Sequence, residues 1–227
     1  MGERRRQLAT AMAVGLVAGL MVAILRVWSA TLRKDTRQLD RLDDYIAGGR
    51  QVLAVFWHGK YLPLFPLAKG KHAVVITINS FRGRVIGEIC KRFGYRPVLL
   101  PADANAHGLP ALVDQVKGNA SLLALALDGP TGPLHRIRSG ALTLSAVHGV
   151  VLAPVGVANS HKVVMRSRWD KQEAPLPFSR IAVAVGEMVD LSQDGDRLDI
   201  KQLEQIVREK MDSVEREAES ILDGMRQ

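Results

Sequence analysis

The chain is poor in cysteine and aromatic residues, and it lacks the glycine loops that hold nucleotides. Of its 227 residues only Cys90 is a cysteine. A single thiol excludes an internal disulfide framework and any cysteine-built zinc site. Cys90 falls in an apparent helix and reads as buried apolar filler rather than a nucleophile. Aromatic residues make up 5% of the chain, and no stretch interleaves arginine with aromatics in the way that stacks nucleobases. Neither Gly-x-Gly-x-x-Gly nor Gly-x-x-x-x-Gly-Lys-Ser/Thr occurs, so dinucleotide and P-loop chemistry are not indicated. The Gly-x-Ser-x-Gly nucleophile elbow is missing as well. His72, His107, His135, His148 and His161 show no metal-ligand spacing, and neither a metal nor a bound cofactor is expected.

What is present is a folding composition, with 47% hydrophobic and 24% charged residues. The length suits one domain with an appendage. Lysine and arginine number 31 against 23 acidic residues, a formal net charge of +8. That balance favours anionic partners. With aromatics scarce, a lipid surface or an acidic carrier protein fits better than nucleic acid.

The appendage is at the amino terminus. Leu8 to Leu25 is an almost unbroken apolar run without a charge, flanked by Arg4, Arg5 and Arg6 before and Arg26, Arg33, Lys34 and Arg37 after. A run of that length is just enough to cross a bilayer. It is long for a signal-peptide core and has no clear small-x-small cleavage site, so it reads as a retained anchor. Basic residues on both flanks give no clean orientation and suit a helix embedded from one face. The expected division is an anchor at 1–34 and an α/β domain at 35–227.

In the second part strands alternate with helices. Val52–Trp57, Ala73–Ile78, Pro97–Leu100, Ser121–Leu127 and Val150–Val157 read as strands. Val163–Arg168 and Ile181–Val185 read as later, half-exposed ones. Helical spacing or short helical segments occur at Asp35–Gly49, Tyr61–Leu67, Val85–Phe93, Leu109–Val116, Ser139–His148 and Ile200–Met225. The alternation predicts a mostly parallel central sheet with helices on both faces.

Two strand ends carry the chemistry. The apolar strand Val52–Trp57 delivers His58, Gly59 and Lys60 where it ends, and open α/β sheets bind ligands at the carboxyl ends of their strands. Histidine is the side chain that titrates near neutral pH, so His58 is the candidate general base. Ser121–Leu127 runs into Asp128-Gly129-Pro130-Thr131-Gly132-Pro133, whose glycines and prolines fix a tight irregular loop. Arg136, Arg138 and Ser139 follow where a helix starts, a setting for a phosphate, a carboxylate or a phosphopantetheine arm.

Taken in order, these segments resemble the lysophospholipid acyltransferase superfamily, in particular a small bacterial branch related to the lipid A acyltransferases. Phe56-Trp57-His58-Gly59-Lys60 is similar to that branch's Trp-His-Gly-Arg/Lys element. Asp128-Gly129-Pro130-Thr131-Gly132-Pro133 resembles its Asp-Gly-Pro-x-Gly-Pro loop, with Ser139-Gly140-Ala141 after it. Ala153-Pro154-Val155 resembles Val-Pro-Val, and Trp169-Asp170 with Pro175–Arg180 resembles a late signature. The resemblance implies a glycerolipid-acyltransferase-like fold and transfer of an acyl chain from acyl-carrier protein or acyl-CoA to a hydroxyl or amine of a membrane lipid. It also implies a place on the cytoplasmic face of a bacterial inner membrane. Lys60, Arg82, Arg84, Gly129, Thr131, Arg136, Arg138 and Ser139 are then the candidate substrate-binding residues.

The pattern is broken in one respect. Superfamily members pair the histidine with an aspartate shortly after it, where this chain has Leu62 and Pro63. Ser80-Phe81-Arg82-Gly83-Arg84 replaces the branch's Asp-Gly-Glu element, and Pro101-Ala102-Asp103 its Arg-Gly-Ser. Asp128 is therefore the expected acid partner, ahead of Asp103 or Glu88. The alternative is a non-catalytic partner protein of the same fold that binds lipid or acyl carrier.

Overall fold

The computed structural model describes residues 2–100, 122–193 and 198–226. The expected helix 109–116, with His107 and Asp103, lies outside the described residues.

A long helix α1 (Gly2–Thr31) opens the chain and leads into a short strand β1 (Arg33–Asp35). A 3-10 turn at Arg37–Leu39 and helix α2 (Asp40–Ala47) bring it to β2 (Val52–Phe56). Then come α3 (Leu64–Leu67), β3 (Val74–Ile78), α4 (Phe81–Arg92), β4 (Arg96–Leu100) and β5 (Leu122–Ala126). Helix α5 (Ser139–His148), strand β6 (Val151–Asn159), the pair β7 (Lys162–Val164) and β8 (Glu173–Pro175), strand β9 (Arg180–Val185) and helix α6 (Ile200–Gly224) complete it.

Seven strands form one sheet in the order β1-β9-β6-β2-β5-β3-β4. Its pairs are parallel except for β6 with β9, and β7 with β8 forms a separate antiparallel ribbon. The expected mostly parallel α/β architecture is what the chain adopts.

Period-two alternation sends side chains of β2 to opposite faces. Leu53, Val55 and Trp57 join a core with α5 and α6, in which Leu203, Val207, Met211, Val214 and Ala218 are buried. Val52 and Ala54 face a second core, built with Leu39, Leu42, Phe65, Ile89 and Phe93 and with Ala18, Val22 and Leu25 of α1. Helix α6 begins with a capping box in which Asp199 accepts from Lys201 and Gln202 while the Gln202 side chain reaches back. Two orphan N–H groups are thereby satisfied.

Three sequence expectations are corrected. Strand β9 is not half-exposed: Ile181 to Val185 are wholly buried, because β9 lies between β1 and β6 rather than at an edge. Helix α4 begins at Phe81 rather than Val85, since Ser80 accepts the Gly83 N–H at 3.0 Å and caps it. The short helix before β3 is confined to Leu64–Leu67.

Helix α1 is long and apolar enough to cross a membrane. It is also part of the domain's packing. Val14, Ala18, Val22, Leu25 and Ser29 form a buried stripe, and α1 lies along α4, with Arg92 donating to the Gly15 carbonyl at 2.9 Å. The opposite stripe, Leu8, Met12, Leu16, Leu20, Ile24 and Val27, is exposed. The expected division between 34 and 35 falls inside β1.

Candidate active site

Strand β2 ends by turning His58 into a 3-10 turn, His58–Lys60. The backbone N–H of His58 donates to Asp128 Oδ1 at 2.8 Å. The other oxygen of Asp128 accepts the His135 N–H at 3.2 Å. Asp128 is wholly buried, and both its oxygens are spent on backbone. It holds the end of β2 to the 128–135 loop and does not partner the imidazole.

The ring's partner is Asp170, whose Oδ2 lies 2.7 Å from His58 Nδ1. The Asp170 carboxylate is buried. Arg168 grips it through Nε to Oδ1 at 2.8 Å and Nη2 to Oδ2 at 2.6 Å, the two-pronged geometry that suits guanidinium and carboxylate. Burial alone would raise the Asp170 pKa. The hydrogen bonds from Arg168 and His58 outweigh it and hold the carboxyl down at about 2. Asp170 is thus ionised across the physiological range and fixes the ring so that Nε2 is the free nitrogen. Tyr61 meets the ring edge-on at 4.9 Å between centroids and Trp169 lies tilted at 5.0 Å.

Gly59 makes this meeting possible. A Cβ there would strike the carbonyl of Asp170, so only glycine lets the turn after β2 approach the 168–172 segment so closely. Gln172 closes the contact by donating to the Gly59 carbonyl at 2.9 Å. Gly132 does the same beside Trp169, whose ring a Cβ would hit; its φ of 71° also favours glycine.

His58 stands at the mouth of an apolar cavity of about 140 Å³. The cavity lies between the sheet and helices α2, α3 and α4, with Phe56, Tyr61, Ala124, Ala126 and Ile86 among its walls. Lys71, 2.8 Å from Asp40 and 2.6 Å from Asp43, also contributes to the lining. Tyr95 fixes α3 against it, its hydroxyl donating to the Phe65 carbonyl at 2.8 Å.

The remaining candidate residues fall in different places. Arg82 is exposed in the first turn of α4. It and Arg168 both act electrostatically on the Tyr61 phenol, whose pKa is raised overall, chiefly by burial. Arg84 is exposed and donates to Asn79 at 2.9 Å. Lys60 is a correction. Its ammonium lies 3.0 Å from Glu215 and 3.4 Å from Glu173 and donates to the Val157 carbonyl at 2.9 Å, so it ties α6 and β8 to the sheet and is not among the cavity's walls. Arg138 donates to the Gly132 carbonyl and shapes the loop. Gly129 sits beside it at a φ of 65°, and Arg136, Thr131 and Ser139 are exposed around the start of α5. Glu88 pairs with Arg92 on α4. Among the described residues no three His, Cys, Asp or Glu side chains converge as a metal site.

Sequence reasoning missed Asp170 as the acid, with Arg168 and Tyr61 beside it. Trp169-Asp170 was visible as a signature, but the separation of 112 positions between His58 and Asp170 leaves no spacing rule to link them.

No family model matches the chain. An uncharacterized protein of Rickettsia prowazekii (strain Madrid E) is 25% identical over 146 residues, 63% of this chain and 66% of that protein. The match therefore spans just under two thirds of the relative's length. Among solved structures, the 1-acyl-sn-glycerophosphate (LPA) acyltransferase PlsC from Thermotoga maritima superimposes with a TM-score of 0.53 at 15% identity, over 95% of this chain and 82% of that one. At that identity the likeness is one of fold, and the fold this chain shares is that of an acyltransferase.

Proposed function

We propose that the protein is a membrane-bound acyltransferase that moves a fatty acyl chain from a thioester, on acyl-carrier protein or coenzyme A, to a hydroxyl or amine of a lipid. The observation that carries this reading is His58 paired through Nδ1 with Asp170 at the mouth of an apolar cavity. A base oriented by a buried carboxylate is an arrangement for removing a proton from an attacking nucleophile.

In the proposed step the acceptor's oxygen or nitrogen attacks the thioester carbonyl while His58 Nε2 takes its proton. The new ester or amide bond forms as the carbon–sulfur bond breaks, and the imidazolium returns the proton to the departing thiolate. Asp170 stabilises the transient imidazolium, and Arg168 keeps Asp170 in place. The cavity takes the acyl chain, since apolar walls favour methylenes over water. Arg82, which acts electrostatically on the cavity residue Tyr61, is the cation offered to a headgroup phosphate. No covalent acyl-enzyme and no bound cofactor are required.

Helix α1 keeps the site at the bilayer. A helix that crosses a membrane alone gives its whole circumference to lipid or to other helices. Here one stripe of α1 packs into the protein and the opposite stripe is apolar and exposed, which supports a helix lying in one leaflet. Exposed Arg5, Arg6, Arg33 and Lys34 at its ends suit anionic headgroups. A bacterial inner membrane, reached from the cytoplasmic side, is the setting that gives access to both donor and acceptor.

Mass spectrometry of lipids from cells with and without the gene, complemented with native protein or with His58→Ala, tests the reading. An acylated lipid that disappears with the gene and returns only with the native protein is expected. Its return with His58→Ala would overturn the role of the base, and an unchanged lipid profile would favour a non-catalytic binding protein.

A further inference from the structure

The exposed stripe of α1 does not end at Val27. The helical spacing that places Leu20, Ile24 and Val27 on one side places Thr31 there too. The Thr31 hydroxyl accepts the backbone N–H of Phe178 at 3.4 Å. Phe178 belongs to the segment Pro175-Leu176-Pro177-Phe178-Ser179 between β8 and β9, which is pinned to the end of α1 at two more points. Trp28 Nε1 donates to the Pro175 carbonyl at 2.8 Å, and the Arg33 N–H donates to the Ser179 carbonyl at 3.0 Å.

The loop so fixed presents apolar side chains to solvent. Phe178 is 77% exposed and Leu176 43%. Phe178 holds a φ of 64°, a left-handed conformation that costs a bulky residue energy and that glycine would take freely. Packing does not explain the ring, because it touches water over most of its surface. Arg33 and Lys34, both exposed, lie beside it in the chain segment that its own loop contacts.

We infer that Leu176 and Phe178 form a second bilayer contact, continuing the outer stripe of α1 past its last turn and inserting beside a cationic flank that meets anionic phospholipid headgroups. Apolar rings set next to cations are the composition that binds the interface of an anionic membrane. The inference rests on the reading of α1 as a helix lying in one leaflet. It adds a separate anchor point in the loop that follows β8, which itself starts three residues after Asp170. The membrane would thus grip the chain at two segments distant in sequence, α1 and the segment leading away from the site acid, which meet at the end of α1.

The test uses the full chain and vesicles of equal parts phosphatidylcholine and phosphatidylglycerol. A polarity-sensitive fluorophore is attached to Phe178→Cys in a Cys90→Ser background, with a second label at Asp212→Cys, an exposed position on α6, as reference. Vesicles should shift the emission of the loop label to shorter wavelength, and lipids brominated in their acyl chains should quench it, while the reference label stays unchanged. Phe178→Gly keeps a loop compatible with its φ and removes the ring, so it should fold as stably as the native chain yet bind vesicles about tenfold more weakly. Leu176→Ser should weaken binding in the same direction. If the protein sediments with vesicles but the loop label does not respond and Phe178→Gly binds as well as native, the second contact is overturned and α1 stands alone as the anchor. If the native chain does not sediment with vesicles, the reading of α1 is overturned and this inference with it.

Discussion

On β2 and β5 the side chains directed to α5 and α6 include Leu53, Val55 and Leu123, all wholly buried. On the other face the same strands present Ala54, Ala124 and Ala126 among Val52, Phe56 and Leu122, and there the cavity lies. Both faces are apolar and both are covered by helices, so hydrophobicity does not separate them. Side-chain volume does. One face carries leucine and valine at 53, 55 and 123 and is wholly buried there; the other gives up methylenes at three alanines and keeps a space that His58 helps to line. Under the proposed function the first face holds the chain together and the second gives the acyl chain its space.

The sharpest way to break that contrast is to move volume between the faces. Leu123→Ala on the filled face should cost about 2–5 kcal/mol. In a chain of this size each kcal/mol lowers Tm by roughly 2–4 °C, which thermal unfolding followed by circular dichroism would read. Ala124→Phe on the open face should leave Tm near native while lowering kcat/KM for long-chain thioesters by at least about tenfold, with short-chain donors spared. Equal losses of Tm from the two substitutions would erase the distinction between the faces.

The next difference lies in pH. Asp170 is held at about 2 in the folded chain, below the ordinary carboxylate value of about 3.9. Its contribution to stability is therefore complete above that ordinary value and is lost as pH falls from about 4 towards 2. Urea titrations of the native chain and Asp170→Asn should show a stability gap that is constant near neutrality and narrows in that acid window. A gap that widened on acidification would contradict the ion pair with Arg168. The smallest effect is expected at Lys71, which also lines the cavity. Lys71→Ala removes pairs with largely exposed Asp40 and Asp43, so it should cost at most about 1 kcal/mol and shift donor preference towards longer chains. Donor competition with acyl groups of graded length would measure that shift.

Much of this arrangement was legible in the sequence. The apolar run before His58 marked β2, the glycine-proline loop marked the end of β5, and the alternation of strands and helices gave the parallel sheet. Three features were hidden for identifiable reasons. Asp170 joins His58 through tertiary structure, across a loop whose own pattern is neither helical nor extended. Asp128 looked like the acid because it follows a buried strand, yet backbone N–H groups claim both of its oxygens. The two sides of α1 could not be told apart because both stripes are apolar: Ala18 and Val22 face the protein, Leu16 and Leu20 face outwards. Ala54, Ala124 and Ala126, set among Val52, Phe56 and Leu122, were visible but had no meaning until the strands had neighbours.

The central claim is that Asp170, through His58, serves catalysis at the mouth of the cavity. The direct measurement is the rate of acyl transfer to lipid in membranes by purified native protein and by Asp170→Asn, with folding checked by circular dichroism. The account predicts a variant that folds at neutral pH and transfers acyl groups about 10³–10⁴-fold more slowly, the loss seen when a histidine base loses its orienting carboxylate. A folded Asp170→Asn protein that works at the native rate would contradict it.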